Sequence, residues 1–459
     1  MSHLQPGRRR SARLRPRIHA SEEGAELPRP RSTRRSTQIE YAAHGEGGRR
    51  RSPRLHPQIH STGEGDGMPR HRGTSPEPPA SLPLPLPLPD DDDMLREILL
   101  RLPPQPSSLP RASAVCRRWR GIVTDRKFLR CFYAHHRKPP LLGVFHLRDT
   151  FAFTSLLDPP DRIPPQRFSL GCYGCASVGI VVDCRHGRVL VQGITRNEVI
   201  VCDPITSRQH YVSLPPEFGK TPISAAVLCA ASEQGHVHGG CHSSPFKVVL
   251  VNMCTPRPIA SIYSSETATW GNIISMESPC SLCITAYQGS LVGNALYWLQ
   301  HEIGNGIIAF DLHDQSLAVI RGPTITIDFS RDVGQIIKAE NGALGLAILS
   351  YPRLHMWQRS VNSHGVATWL MWKTIEIHTI LGLPPHITEY SKLSGYSEDT
   401  DAIFIYVDGN AYMVQLQSME CKRLDGTHNL INFFPFTSFY PPGPGTTITG
   451  GCNGAELLG

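Results

Sequence analysis

The chain has 459 residues, which at roughly 150 residues per domain predicts two to four domains, or one large domain with appendages. Its 40 Gly, 40 Pro, 40% hydrophobic and 19% charged residues favour a turn-rich globular protein and exclude a helical bundle or coiled coil. The net charge of +7 belongs to the N-terminus: residues 1–89 contain 16 Arg, no Lys and 8 acids (+8), and the rest contains 30 bases and 31 acids (−1).

The sequence disfavours both membrane insertion and secretion. The longest apolar runs, such as 223–231, are about half of the roughly 18 residues that a membrane helix needs. Arg8, Arg9 and Arg10 are not followed by the apolar segment of a secretory signal. The 13 Cys, an odd number without a compact spacing pattern, indicate free thiols. We therefore expect a protein of the cytoplasm or nucleus with no membrane contact.

Residues 1–87 have the composition of a disordered tail. They are rich in Arg, Pro, Gly and Ser, and Tyr41 is their one aromatic residue, so they cannot bury enough apolar area to offset chain entropy. Alternating Leu and Pro over 82–89 predict an extended spacer. Two interpretations stay open for the tail: a nuclear-import or RNA-binding arm, or a solvated extension without function.

Residues 88–132 predict a compact module of three short helices. Apolar residues at i, i+3, i+4 and i+7 form one stripe of the first helix: Leu95, Ile98, Leu99 and Leu102. Asp90–Asp93 precede this stripe, where acids cap a helix and favour its dipole; consecutive carboxylates point in different directions and are unsuited to a metal site. Pro103 and Pro104 end the first helix. A second helix starts at Ser107 or Ser108, and a third segment runs to Phe132.

The two strings LPDDDDMLREILLRLP and SLPRASAVCRRWRGIVTDRKFLRCF carry a resemblance to a known family. An opening Leu-Pro, an amphipathic first helix and a Val-Cys-Arg-Arg-Trp core occur in the order and spacing of an F-box. The segment differs from that pattern by its extra Asp residues and by Arg126-Lys127, where a Pro-containing turn is frequent. Residues 88–132 therefore resemble an F-box.

The resemblance implies docking to the Skp-family adaptor of a cullin-based ubiquitin ligase, by apolar helix anchors that fill a partner's groove. It implies that the adaptor-facing residues are Leu88, Pro89, Leu95, Ile98, Leu99 and Leu102. It also implies that Val115, Cys116 and Trp119 form the F-box core or border the interface. The alternative is an ordinary helical subdomain whose apolar stripe is covered by the rest of the chain.

Residues 140–445 predict a mainly β domain built from repeats. Apolar strands recur after a turn residue, at intervals of 57, 49, 49 and 59 residues, following Gly187, Ser244, Gly293, Gly342 and Asp401. Multi-stranded units of about 50 residues favour a β-propeller over a pair of β-sandwiches. We predict about six blades, the sixth formed by strands after Leu141 and closed by the C-terminal segment NLINFFPFTSFYPP. A flexible Gly-rich C-terminus is predicted at 446–459.

A second, looser resemblance covers this β region. The segments RKPPLLGVF, CDPITSRQHYVSLPP and GNALYWL…IIAFDLHDQSLAVI are similar to the F-box-associated propellers of a large plant F-box family. This resemblance implies an F-box protein that combines a helical module with a propeller.

The sequence predicts neither a metal site nor a cofactor. Cys172 and Cys175 lie over a hundred residues from Cys280 and Cys283. A third cluster, His236, His238, Cys241 and His242, lies in a glycine-rich loop, whereas a zinc site needs four ligands preset by compact turns. No hydrolase elbow, Walker loop, HExxH or dinucleotide fingerprint occurs, so nothing supports catalysis.

These features favour a substrate receptor of an SCF (Skp-cullin-F-box) ubiquitin ligase. Its F-box binds the adaptor and the cullin ligase core, and its propeller binds an unidentified target protein, so that its contribution is positional. A disfavoured alternative is a nucleic-acid-associated scaffold whose Arg-rich arm supplies salt-sensitive affinity. A third hypothesis, an enzyme on a propeller, requires ionisable residues around the central channel.

Overall fold

The computed structural model describes residues 91–147, 151–168, 179–193, 196–219, 223–253, 257–276, 288–299, 306–324, 334–386, 390–424 and 432–441. The tail predicted at 1–87, with its Leu-Pro spacer, and the C-terminus predicted at 446–459 lie outside these ranges. Among the described helices, none has the length and apolar character needed to cross a membrane.

The helical module contains four helices where the sequence predicted three. They are α1 (Asp92–Leu100), α2 (Ser108–Val115), α3 (Arg117–Thr124) and α4 (Arg126–His136). Two extended residues, Cys116 and Asp125, divide the stretch after Ser108. The Asp125 carboxylate accepts a hydrogen bond from the amide of Phe128, which caps α4. The apolar pattern continues across Asp125, so the sequence predicted one segment where the structure has two helices.

Acidic residues begin α1 as predicted. The side chain of Asp91 accepts a hydrogen bond from the amide of Asp93 at 2.9 Å, and Asp92 and Asp93 occupy the first turn. A carboxylate there satisfies an unpaired amide and complements the positive end of the helix dipole. The capping role is confirmed for Asp91; Asp90 lies outside the described residues.

Twenty-four strands follow the module in the described part of the chain. Those before residue 280 are β1 (Leu141–Leu147), β2 (Phe151–Ser155), β3 (Gly179–Arg185), β4 (Arg188–Gly193), β5 (Glu198–Asp203), β6 (Arg208–Ser213), β7 (Ser224–Cys229), β8 (Phe246–Asn252), β9 (Ile259–Ser264), β10 (Thr269–Trp270) and β11 (Ile274–Ser275). The later ones are β12 (Ser290–Val292), β13 (Ala295–Leu299), β14 (Gly306–Asp311), β15 (Ser316–Arg321), β16 (Gly334–Lys338), β17 (Leu344–Ser350), β18 (Arg353–Val361), β19 (Ala367–Glu376), β20 (Ser391–Ser397), β21 (Ala402–Val407), β22 (Asn410–Gln415), β23 (Cys421–Leu424) and β24 (Phe433–Thr437). A short helix, α5 (Ile377–Leu381), follows β19.

The strands form six antiparallel sheets, which are the six blades of a β-propeller. Blade 1 is β3–β6, blade 2 is β7–β10 with β11 paired to β9, blade 3 is β12–β15, blade 4 is β16–β19 and blade 5 is β20–β23. Blade 6 has the order β2-β1-β24. Each blade has one innermost strand. From blade 1 to blade 6 these strands are β3, β7, β12, β16, β20 and β24.

Blade 6 closes the ring by joining distant parts of the chain. β1 pairs antiparallel with β24, with Val144 opposite Pro435 and Phe145 opposite Phe434. The inner strand β24 in turn contacts β20 and β3, the inner strands of the neighbouring blades. The prediction of a sixth blade shared by both ends of the β domain is confirmed.

The turn residues that recur along the sequence are explained by the backbone conformation of the hairpins. The hairpin after an inner strand needs left-handed residues, and φ is +73° at Gly187 and +55° at Asp401. His186 beside Gly187 also has a positive φ, of 53°, as a two-residue primed turn requires. Blade 2 departs from this pattern because residues 230–245 form a long connection there.

A separate apolar cluster fills each junction between neighbouring blades. Between blades 2 and 3, Trp298 is fully buried in one cluster with Val251 and Phe310. Trp357 and Trp369 pack between blades 3 and 4, and Trp372 packs against the cluster of blades 4 and 5. These four tryptophans thus pack between neighbouring blades, and the blades form one closed ring.

Candidate functional site

The first helix presents a different face to solvent from the one predicted. Leu95 and Leu99 are fully buried in the core of the helical module, with Phe128 and Phe132 of α4. Ile98 is 42% exposed, and Met94, one turn before it, is 54% exposed. The structure therefore revises the assignment of Leu95 and Leu99 from adaptor contact to core, because the module's own helices cover that side of the stripe.

The remaining predicted site residues also divide into residues packed against the core and exposed residues. Leu102 and Trp119 are half-buried against the module's core. Val115 is 56% exposed and Cys116 is also exposed, so neither is a core residue. Of the two roles that the resemblance implies for them, only a position at the border of the interface remains. Leu88 and Pro89 lie outside the described residues.

Two exposed apolar side chains lie on one side of α1. Met94 and Ile98 stand four residues apart on this helix, so their side chains are neighbours on its surface. We call Met94 and Ile98 the apolar face. Val115, at the end of α2, is also exposed. Such a face suits helix-in-groove binding of another protein. Met94 was missed, although it stands four residues before Ile98.

An aromatic stack joins the helical module to the propeller. Phe439, just after β24, is 1% exposed and belongs to the core cluster of the module. Its ring stacks on Tyr133 of α4, with centroids 4.4 Å apart, and meets Phe132 edge-on at 6.5 Å. Burial raises the pKa of Tyr133 above its usual value. A side chain of the propeller thus completes the core of the module.

Hydrogen bonds and close packing strengthen this joint. The carbonyl of Gly239, in the loop between β7 and β8, accepts hydrogen bonds from the Phe439 amide at 3.0 Å and from Ser438 Oγ at 2.9 Å. At the other side of the module, the Ser107 amide donates to Asp161 Oδ1 at 2.9 Å. These contacts fix the orientation of the apolar face relative to the propeller.

Gly240 packs directly against Tyr133, and we expect Gly240→Ala to weaken the joint. A Cβ at this position would lie 2.5 Å from Cδ2 of the tyrosine ring. Overpacking of this kind costs about 1–3 kcal/mol, and we expect the free energy of unfolding, measured in urea, to fall by that amount.

The matched control is Gly121→Ala in α3, where a Cβ meets nothing within 4 Å. That variant is expected to gain about 0.5–1 kcal/mol from helix propensity. Equal urea midpoints for Gly240→Ala and the wild type would contradict the packing described for this joint.

The central channel contains a buried ionic network. The guanidinium of Arg185, at the end of β3, donates to Asp183 Oδ2 at 2.7 Å and to both oxygens of Glu398 at 2.7 and 3.0 Å. It also donates to the carbonyl of Gly289 at 2.7 Å. The carboxylates accept further hydrogen bonds from the amides of Val227 and Leu291. The network therefore connects the inner strands of blades 1, 2, 3 and 5.

Electrostatics in this network favour a structural role. Burial raises the pKa of Asp183 to about 6, against the opposing effects of Arg185 and the Val227 amide. For Arg185, burial works to lower the pKa, but Asp183 and Glu398 outweigh it and raise the pKa above its ordinary value. The channel thus contains the ionisable residues that the enzyme hypothesis requires, but the guanidinium is occupied by carboxylates and a carbonyl and binds the blades together.

The helical module lies at the end of the ring where the inner strands finish. Thr437, the last residue of β24, pairs with Leu141, the first residue of β1, directly after the module. The loop 230–245, which contacts the module, likewise follows an inner strand, β7.

The structure brings together only some of the His and Cys residues that the sequence analysis considered as metal ligands and set aside. Cys172, Cys175, Cys280 and Cys283 lie outside the described residues. His242 Nδ1 lies 3.0 Å from Asp203 Oδ2; burial opposes ionisation, but His242 and Thr206 hold the pKa of Asp203 below its ordinary value. His236, His238 and Cys241 do lie together, with Cys229 as a fourth residue that the sequence reading missed. The signal in the sequence for Cys229 was its position at the end of a predicted strand, seven residues before His236.

Family models match both parts of the chain. The F-box domain matches residues 86–131, which include α1–α3 and the first half of α4. The family described as "F-box protein AT5G49610-like, beta-propeller" matches residues 180–443, from blade 1 to the closing strand.

Two curated relatives come from Arabidopsis thaliana. F-box/kelch-repeat protein At3g61590 is 26% identical over 242 residues, which cover 48% of this chain and 55% of the relative. Putative F-box/kelch-repeat protein At1g15680 is 26% identical over 276 residues, 52% of this chain and 62% of the relative. The match thus spans less than two thirds of either relative. Among solved structures, a nidogen/laminin complex aligns at 10% identity and a TM-score of 0.37, over 64% of this chain and 98% of the matched chain.

The helical module, the six blades and the two family matches agree along the chain. This chain belongs to the F-box proteins with an AT5G49610-like β-propeller.

Proposed function

We propose that this protein is a substrate receptor of an SCF ubiquitin ligase. The observation that carries the proposal is the apolar face of the F-box, which is exposed although the core of the module is already filled by its own helices and Phe439. An Skp-family adaptor binds this face, and the cullin ligase core is recruited through the adaptor. The exposed apolar side chains at helical spacing, with the charged pair Glu97–Arg101 beside them at 3.3 Å, support this contact.

The receptor works by position and supplies no reacting group. The aromatic stack and the loop 230–245 hold the F-box against one end of the propeller. A target protein bound by the propeller is therefore kept at a set distance from the ubiquitin-charged enzyme, which raises the effective concentration of its lysines. In this proposal the chain is a non-catalytic subunit and its target is a protein.

We further propose that the protein acts in the cytoplasm or the nucleus. Cys184 is a buried thiol that forms no disulfide, as expected for a reducing compartment.

The proposal is tested by affinity capture from cells that express either the wild type or the Met94→Asp, Ile98→Asp double variant. We expect the wild type to recover the adaptor and cullin, and the double variant to recover neither. Target proteins should be retained by both and should accumulate with the variant, because they are bound but not ubiquitylated. Recovery of adaptor and cullin by the double variant in wild-type amounts would contradict the proposal.

A further inference from the structure

We propose that Cys229, His236, His238 and Cys241 form a structural zinc site in the loop between β7 and β8. One ligand atom from each residue lies within 4.8 Å of every other. Cys229 Sγ lies 3.3 Å from His236 Nε2. We call these four residues the Cys-His cluster.

The spacing of the ligand atoms is close to what zinc requires. Tetrahedral zinc binds sulfur at about 2.3 Å and nitrogen at about 2.0–2.1 Å, which places neighbouring ligand atoms about 3.3–3.8 Å apart. The 3.3 Å pair already has this separation, and the widest pairs need a contraction of about 1 Å.

The chemistry of the four ligands selects the metal. Two thiolates and two imidazoles in a tetrahedral set favour zinc over the hard cations, which prefer oxygen. The two thiolate charges also balance the charge of one Zn²⁺ ion. Four protein ligands close the coordination shell, which is the arrangement of structural sites, whereas catalytic zinc sites keep a position for water or substrate.

The loop presets the ligands by compact turns. All four lie within the 13 residues from 229 to 241. Gly235 and Gly239 have φ values of +78° and +87°, which place a tight turn beside His236 and another between His238 and Cys241. Cys229 is held separately, because it is the last residue of β7.

The groups around the cluster orient its side chains, as the outer shell of a metal site does. The His186 ring stacks on His238, with centroids 3.8 Å apart and planes at 17°. His186 Nδ1 accepts a hydrogen bond from the Cys229 amide at 3.0 Å. Cys241 Sγ lies 3.4 Å from the carbonyl oxygen of His186.

A zinc ion here would stabilise the loop against which the F-box packs. Val237, between the two histidines, packs against the core cluster of the helical module. Gly239 lies against Pro139, and Gly240 lies against Tyr133. The site therefore fixes the joint between the F-box and the propeller, whichever target the propeller binds.

The test measures zinc in the full-length protein, purified under reducing conditions without chelator, by elemental analysis. We expect the Cys229→Ser, Cys241→Ser double variant to contain one zinc per chain less than the wild type. The matched control is Cys116→Ser with Cys421→Ser, two exposed thiols that are not members of the Cys-His cluster, which should retain the wild-type content.

A second variant covers the case in which the double variant does not fold. His238→Ala removes an exposed ligand and leaves the two cysteines in place. It should release zinc to a chelator at least about tenfold faster than the wild type, since even outer-shell changes cost 10–100-fold in affinity. Equal zinc content in the wild type and the cysteine variant, or release from His238→Ala at the wild-type rate, would overturn the proposal.

Discussion

Replacing Met94 and Ile98 together by aspartate is expected to weaken binding of a purified Skp-family adaptor at least about 100-fold. Both side chains are about half exposed, at 54% and 42%, so the substitution leaves the core of the F-box intact. In the complex, however, two carboxylates would be buried in an apolar interface, and anchors of this kind contribute at least about 2 kcal/mol each. Isothermal titration calorimetry on the full chain measures the loss.

Two further variants show whether the loss is specific. Val361→Asp with Val366→Asp makes the same change at exposed apolar positions of 55% and 54% on blade 4, and it should leave adaptor affinity unchanged. Leu95→Asp should also abolish binding, but by unfolding the F-box, which circular dichroism detects as lost helix. Wild-type affinity in the Met94→Asp, Ile98→Asp variant would show that the apolar face does not bind the adaptor.

Arg185→Ala is expected to lower the free energy of unfolding by about 3–5 kcal/mol at pH 8. The substitution removes the cation from a buried network and leaves Asp183 and Glu398 without compensation, and breaking a buried pair on one side has a cost of this size. The control is Arg353→Ala, which removes an exposed ion pair with Glu376 and should cost no more than about 1 kcal/mol.

The effect of Arg185→Ala should also depend on pH. Burial already raises the pKa of Asp183 to about 6 in the folded protein, and loss of the neighbouring cation raises it further. Because the folded state then binds the Asp183 proton more tightly than the unfolded chain does, this contribution to stability is present at low pH and is lost as the pH rises. Urea unfolding should therefore show a smaller deficit at pH 5 than at pH 8; equal deficits would contradict this account of Asp183.

The periodic features of the chain were predictable from the sequence. Turn residues such as Gly187 and Asp401 mark the hairpin after an inner strand because that hairpin needs a left-handed backbone, and this local requirement repeats with each blade. The sixth blade could be predicted because the segment after Leu141 and the closing segment each lacked the partner strands of a complete unit.

Features that depend on which face a side chain takes, or on distant contacts, were not predictable. Leu95, Ile98 and Leu99 belong to one helical stripe, but only the packing of α4 decides that Leu95 and Leu99 face inward. Arg185 meets Glu398 across 213 residues, and no local pattern encodes that pair. The Cys-His cluster was partly visible in the sequence, and its fourth member, Cys229, was missed because it belongs to a strand instead of the glycine-rich loop.

The most direct test of the account is size-exclusion chromatography with light scattering of the full-length chain mixed with an Skp-family adaptor and a cullin. The account predicts a single complex with one copy of each protein, which loses this chain when Met94 and Ile98 are replaced by aspartate. Elution of the folded wild-type chain alone, apart from an intact adaptor–cullin complex, would contradict the proposal that this protein is an SCF substrate receptor.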